Sequence, residues 1–153
     1  MSATRLNHVS LRALDFGESV SFYQDVLGMV RVPGFSFVQP VVWLSFGSVQ
    51  IHLFDRVDAA PTYQHVGLEV DDFESVYRAV RQRQLLDKTF GHYCYELPDG
   101  SVQLYFRDPA GNLIEVDWPD VRNLDRKVIS DIRLLSEDIP QVPGVDASLF
   151  LNR

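Results

Sequence analysis

The chain has one cysteine, no long apolar run and no cluster of basic residues. Cys94 stands alone, so no intrachain disulfide framework exists, which fits a reducing, cytoplasmic setting. No uncharged apolar stretch approaches the ~20 residues of a membrane span. The first residues, MSATRLNHVS, lack the apolar core of a secretion signal. Lys and Arg number 14 against 21 Asp and Glu, a net charge of -7, and a nucleic-acid-binding surface needs the opposite balance. The run Arg81 to Gln84, "RQRQ", is short and sits among helix-like residues, where it reads as a solvated helix end. The expected partner is therefore a small molecule, with neither nucleic acid nor membrane involved. Hydrophobic residues make up 46%, enough for a packed globular core.

An internal repeat organises this composition. "HVSLRALDFGESV" begins at His8 and "HVGLEVDDFESV" at His65. Each opens with His, alternates as a strand, reaches Asp-Phe and closes on Glu-Ser-Val. In the first copy Asp15 is placed to cap a helix over Ser19 to Val26, which Gly28 stops. Strand-like runs follow at Met29–Val32, Phe37–Phe46 and Ser48–Phe54, the last two joined at Gly47-Ser48. In the second copy Asp71 or Asp72 caps a helix to about Gln82, and strands are expected at Lys88–Tyr95, Ser101–Arg107 and Asn112–Trp118. Pro98-Asp99-Gly100 and Asp108-Pro109-Ala110-Gly111 are turn sequences. The reading is α+β: two βαβββ modules, residues 5–54 and 63–118, then a C-terminal extension, 119–153. The extension is expected to carry a helix over Leu124–Leu135, and its terminal Leu149, Phe150 and Leu151 to pack on the body or a partner.

Strand parity locates the chemistry. His8, Ser10 and Arg12 share one face of the first strand, opposite Val9 and Leu11; His65, Gly67 and Glu69 oppose Val66 and Leu68. The helices must cover the Val-Leu faces, so the histidines point to the open side. In the last strand of each copy Ile51 and Leu53 flank His52, and Ile114 and Val116 flank Glu115, which sends His52 and Glu115 to the same side. A lone strand histidine is more often a hydrogen-bonded residue than a ligand. The weight lies in the conjunction: three of 4 histidines occupy first- or last-strand positions of the repeat. Nitrogen and carboxylate donors suit a divalent first-row metal, and a Glu facing a concavity is costly without a cation. The candidate metal ligands are His8, His52, His65 and Glu115. His92 is left over as pocket lining at most. Phe35, Phe37, Trp43, Phe54, Tyr105 and Trp118 are expected mainly as core.

The stretches "NHVSL", "ESVSFYQDVLGM", "HVGLEVDDFESV" and "FRDPAGNLIEV" resemble the vicinal oxygen chelate superfamily, which includes glyoxalase I, extradiol dioxygenases, fosfomycin-resistance transferases and bleomycin-resistance proteins. The last stretch is the most specific, and the resemblance spans about Arg5 to Trp118. It implies curved mixed sheets forming a cup around one divalent metal per site, and a homodimer. By position, His8, His65 and Glu115 match ligands common in the group. His52 falls where glyoxalase I carries a Glu, a departure that bears on reaction type. Arg12 and Arg31 are the candidates by location for a thiol-substrate contact. The leading expectation is a glyoxalase-type lyase or isomerase using Zn, Ni, Co or Mn, with Glu115 and His52 as the catalytic proton-handling groups. The alternative is an Fe(II) extradiol dioxygenase, in which His92, Tyr93, Tyr95 or Tyr105 could assist. A fosfomycin-type thiol transferase lacks a visible Lys/Arg cluster for a phosphonate, and a bleomycin-resistance-type binding protein would not need the ligand set.

Overall fold

The structure, a computed structural model, describes residues 2–127, 129–144 and 147–150. The chain divides into two compact units. One runs to Pro61 and includes the Asp108–Asn112 loop; the other comprises Thr62–Arg107 and the chain from Leu113 onward.

In the first unit, strand β1 (His8–Ala13) leads into helix α1 (Phe16–Leu27), followed by β2 (Val30–Val32), β3 (Val41–Phe46) and β4 (Val49–Asp55). Asp15 caps α1, its Oδ1 accepting from the Glu18 amide at 2.8 Å. The helix buries Phe22, Tyr23 and Val26 and ends on Gly28, whose φ of 63° is the left-handed closure that glycine supplies. The sheet order is β1-β4-β3-β2, with β1 and β4 parallel and the other pairs antiparallel. Leu44, Ile51 and Leu53 are buried on one face. On the other face, the register sets Ser10 and Trp43 to either side of His52. Pro40 delays β3 to Val41, four residues after its expected start, because proline carries no amide to donate to a ladder.

Within this unit the loop Asp108–Asn112 is tied down by hydrogen bonds. The buried Tyr23 hydroxyl donates to Asp108 Oδ2 at 2.8 Å, and Asp108 also accepts from the Ala110 amide and from both the amide and side chain of Asn112. Asn112 Nδ2 donates to the Arg12 carbonyl at 2.8 Å. These bonds explain why the turn needs Asp and Asn at those positions.

The second unit repeats the order: β5 (His65–Glu69), α2 (Phe73–Gln82), β6 (Cys94–Glu96), β7 (Val102–Arg107) and β8 (Leu113–Trp118). Asp72, not Asp71, caps α2, accepting from Ser75 N at 2.9 Å. The sheet order is β5-β8-β7-β6-β9, where β9 (Arg133–Leu134) comes from the extension and pairs in parallel with β6. Both units are thus βαβββ modules with a parallel first-to-last strand pair, an α+β fold.

Two expected elements are corrected. The strand expected over Lys88–Tyr95 is mostly loop, with β6 only at its end. Asp87 accepts from Thr89 N and Arg107 Nε, and Arg107 also donates to Thr89 Oγ1, so side-chain bonds hold this segment out of the ladder. Among the described residues, no helix spans the expected Leu124–Leu135: a short 3-10 turn covers Val121–Asn123, and α3 covers only Leu135–Asp138. Asp125 caps the Lys127 amide, Asp131 accepts from the hydroxyls of Tyr77 and Tyr93, and Arg133 pairs with Tyr95. Local Asp bonds and edge pairing outweigh helix propensity there. The extension also covers the sheet edge that β6 would otherwise leave open. Leu149 lines a cavity of about 460 Å³ with Leu97, Leu135 and Val142; Leu151 lies outside the described residues. Among the described residues no helix is long and apolar enough to cross a membrane.

Candidate metal centre

Each unit contributes a pair of the expected donors. In the first, the His8 and His52 rings stack face to face, centroids 4.3 Å apart and planes 12° from parallel. Trp43 stacks on the other side of His52 at 4.3 Å and 6°. His52 is therefore the middle layer of a three-ring stack, buried, while His8 is its exposed end. His52 Nε2 contacts Gln50 Oε1 at 2.8 Å, and with that nitrogen protonated Nδ1 keeps the lone pair. Burial, and then the neighbouring His8, lower the His52 pKa.

The stack constrains coordination. Imidazole binds a metal through an in-plane lone pair at about 2.1 Å. Two nearly parallel planes do not converge on one ion, so as stacked only one of these histidines can ligate it. His8 Nδ1 contacts Asn7 Oδ1 at 3.0 Å, and a proton there leaves Nε2 open.

In the second unit, His65 Nδ1 donates to the Tyr63 carbonyl at 2.8 Å. That fixes the tautomer and leaves Nε2 facing Glu115 Oε2 at 3.2 Å. A bare lone pair against a carboxylate is repulsive; a proton or a cation between them removes the repulsion. Gln103 Nε2 donates to the other Glu115 oxygen at 2.7 Å, and the Tyr105 hydroxyl donates to Gln103 Oε1 at 3.1 Å. Glu115 is thus oriented by a two-link chain and buried, and burial pushes the Tyr105 hydroxyl up, with Glu115 adding to it. Asp117, on the same strand face, is pushed well above the usual carboxylate range by burial and by Glu115. Its Oδ1 is buried without a hydrogen-bond partner among the described residues. Arg107, which shares this face, is engaged by Asp87 and Thr89. The face is rich in acceptors and poor in available cations, the electrostatic setting that favours a bound metal ion. Phe90 and Tyr105 pack edge-on against His65 at 5.5 and 5.9 Å.

Among the described residues, no three or more His, Cys, Asp or Glu side chains are gathered into a group able to enclose a metal. Each unit offers two donors. Two imidazoles and a carboxylate are donor types a divalent first-row ion accepts, so the chemistry of the residues present suits such an ion. His92 is not near these pairs in role: its Nε2 bonds the Asp131 carbonyl at 2.6 Å, anchoring the extension. Sequence reasoning missed Gln103 and Asp117, although both share the parity of Glu115, and it took Trp43 for core. Trp43 was findable only from the register that sets it opposite His52.

A family model described as the Glyoxalase/Bleomycin resistance protein/Dioxygenase superfamily matches residues 5–116, and the chain belongs to that superfamily. It is 28% identical over 123 residues to "Glyoxylase I 4" of Arabidopsis thaliana, covering 74% of this chain and 70% of that protein. Among solved structures, "Oxidase ChaP-H2" is similar at 26% identity and a TM-score of 0.63, covering 78% of this chain and 98% of that one. A lactoylglutathione lyase from Agrobacterium tumefaciens shares the fold at 24% identity and a TM-score of 0.57, covering 76% and 95%.

Proposed function

We propose that this protein is a divalent-metal-dependent lyase or isomerase of glyoxalase type, a homodimer acting on a small substrate chelated through adjacent oxygens. The ligands proposed for the ion are His8, His65 and Glu115, and His52 is proposed as a proton-accepting group. The observation that supports this reading is the His65–Glu115 pair: a tautomer fixed by Tyr63, with its open nitrogen 3.2 Å from a buried carboxylate.

When bound, the cation supplies Lewis acidity towards the substrate's oxygens. The chain's own residues do the rest. Gln103 and Tyr105 hold Glu115 in one orientation. Trp43 and His8 clamp the His52 ring, so its Nδ1 lone pair has a fixed direction for accepting a proton. Phe90 and Tyr105 pack edge-on against the His65 ring and limit its rotation, while the ring stays partly open to solvent.

A second reading has its own support. With His52 set aside by its stack, the donors are two histidines and one carboxylate, the ligand set of Fe(II) oxygenases, and 26% identity links the chain to an oxidase. Two assays separate the readings. Zn(II)- or Ni(II)-loaded protein is offered the methylglyoxal–glutathione hemithioacetal; Fe(II)-loaded protein is offered catechols under oxygen, with ring-fission colour as readout. Turnover in the first alone supports the lyase reading. Turnover in the second alone replaces it with a dioxygenase.

A further inference from the structure

Outside the donor pairs, the first unit contains a cavity of about 600 Å³, within the size range of small-molecule pockets. Its walls include Phe35, Phe37 and Trp43, with Arg31 at the edge strand β2. Three features distinguish it from a surface fold. First, the described lining residues include one guanidinium and no carboxylate, in a chain of net charge -7. The Arg31 side chain makes no ion pair or hydrogen bond among the described residues. Second, Phe35 packs edge-on against Trp43 at 5.6 Å while remaining 77% exposed, an aromatic side chain held out at the cavity without burial to reward it. Third, the Trp43 indole N–H is buried and has no acceptor among the described residues, an unmet donor worth about 1–3 kcal/mol.

We propose that this cavity binds a planar aromatic anion, such as an aryl carboxylate. The ring lies against Phe35, Phe37 and Trp43, and the anionic group pairs with Arg31. Because the indole hydrogen is buried and Phe35 and Phe37 lie against the ring, entry is proposed to shift the Phe35–Phe37 segment so that a ligand oxygen reaches it. Trp43 is shared: one side faces this loop and the other stacks on His52. Gly34 makes that arrangement possible, since a Cβ there would stand 2.8 Å from Trp43 Cδ2 and push the indole off its place. The cavity requires no metal, so it stands or falls apart from the proposed reaction.

The probe is 2-naphthoate, with neutral 2-naphthamide as its isostere, titrated against the full chain while following tryptophan fluorescence. Trp118→Phe assigns the signal to Trp43. Wild type is expected to show saturable binding of naphthoate. Arg31→Gln, at an exposed position, is expected to weaken naphthoate by about tenfold or more, the loss of a charge-assisted pair, and naphthamide by less than about threefold. Gly34→Ala is expected to weaken both. Glu115→Gln is expected to leave both within about twofold. No saturable binding at millimolar naphthoate, or equal weakening of the two probes by Arg31→Gln, overturns the proposal. So does loss of binding in Glu115→Gln, which would assign the ligand to the metal centre instead.

Discussion

Replacing Gln103 with Leu should weaken metal binding without touching a ligand. Gln103 Nε2 donates to Glu115 Oε1 at 2.7 Å and takes the Tyr105 hydroxyl at 3.1 Å. Leucine has a similar volume, so packing on β7 is retained, but Glu115 loses the donor that sets its angle. Groups that orient a ligand typically contribute about 10–100-fold in affinity, so the variant is expected to bind Zn(II) or Co(II) roughly 10- to 100-fold more weakly. At 1.4 kcal/mol per decade that is about 1.4–2.8 kcal/mol, within reach of one hydrogen bond to a charged acceptor. Tyr105→Phe removes only the outer link and should cost less than Gln103→Leu. Competition against a chromophoric chelator measures both, with thermal melts to confirm folding. If wild type binds metal and Gln103→Leu binds it within about twofold, the chain does not orient Glu115 and the reasoning fails.

Tyr23→Phe should destabilise the protein by about 1–2 kcal/mol, because Asp108 keeps three of its four donors; urea melts will read it, and no change would mean that the buried hydroxyl contributes nothing net. Burial pushes the Cys94 thiol up to about 12, so the folded protein should resist thiol reagents at pH 8 and react only when unfolded. For Asp87 burial acts to raise the pKa, but bonds from Thr89 and Arg107 outweigh it and the net shift is downward. A depressed carboxylate pKa contributes stability above its unfolded value, near ~4, that is lost as pH falls through the folded one. Asp87→Asn should therefore flatten part of the acid limb of a stability–pH profile, and an unchanged limb would contradict this sign.

The repeat and the strand parity made the fold legible, and with it the strand faces that carry His8, His52, His65 and Glu115, because a period of two assigns each side chain to a face and the apolar partners identify the covered one. Asp15 and Gly28 announced α1 in the same local way. What was not legible depends on contacts distant in sequence. Nothing local shows that Arg107 reaches back to Asp87 and Thr89 and dissolves an expected strand. Nothing local shows that Asp131 binds Tyr77 and Tyr93 in place of a helix. The His52 stack is a third case: parity gave its direction, but only the register with Trp43 and the tilt of His8 show that its ring lies flat between two others, where a ligand would turn edge-on to the ion.

Metal analysis of the purified protein, prepared without chelators and then offered Zn, Ni, Co, Mn and Fe(II) in turn, decides whether the chain holds an ion. About one ion per chain is expected, held by His8, His65 and Glu115, with uptake lost in Glu115→Gln and in His65→Gln while His52→Gln retains it. A wild type that takes up none of the five, or a Glu115→Gln variant that binds as wild type does, would contradict this expectation.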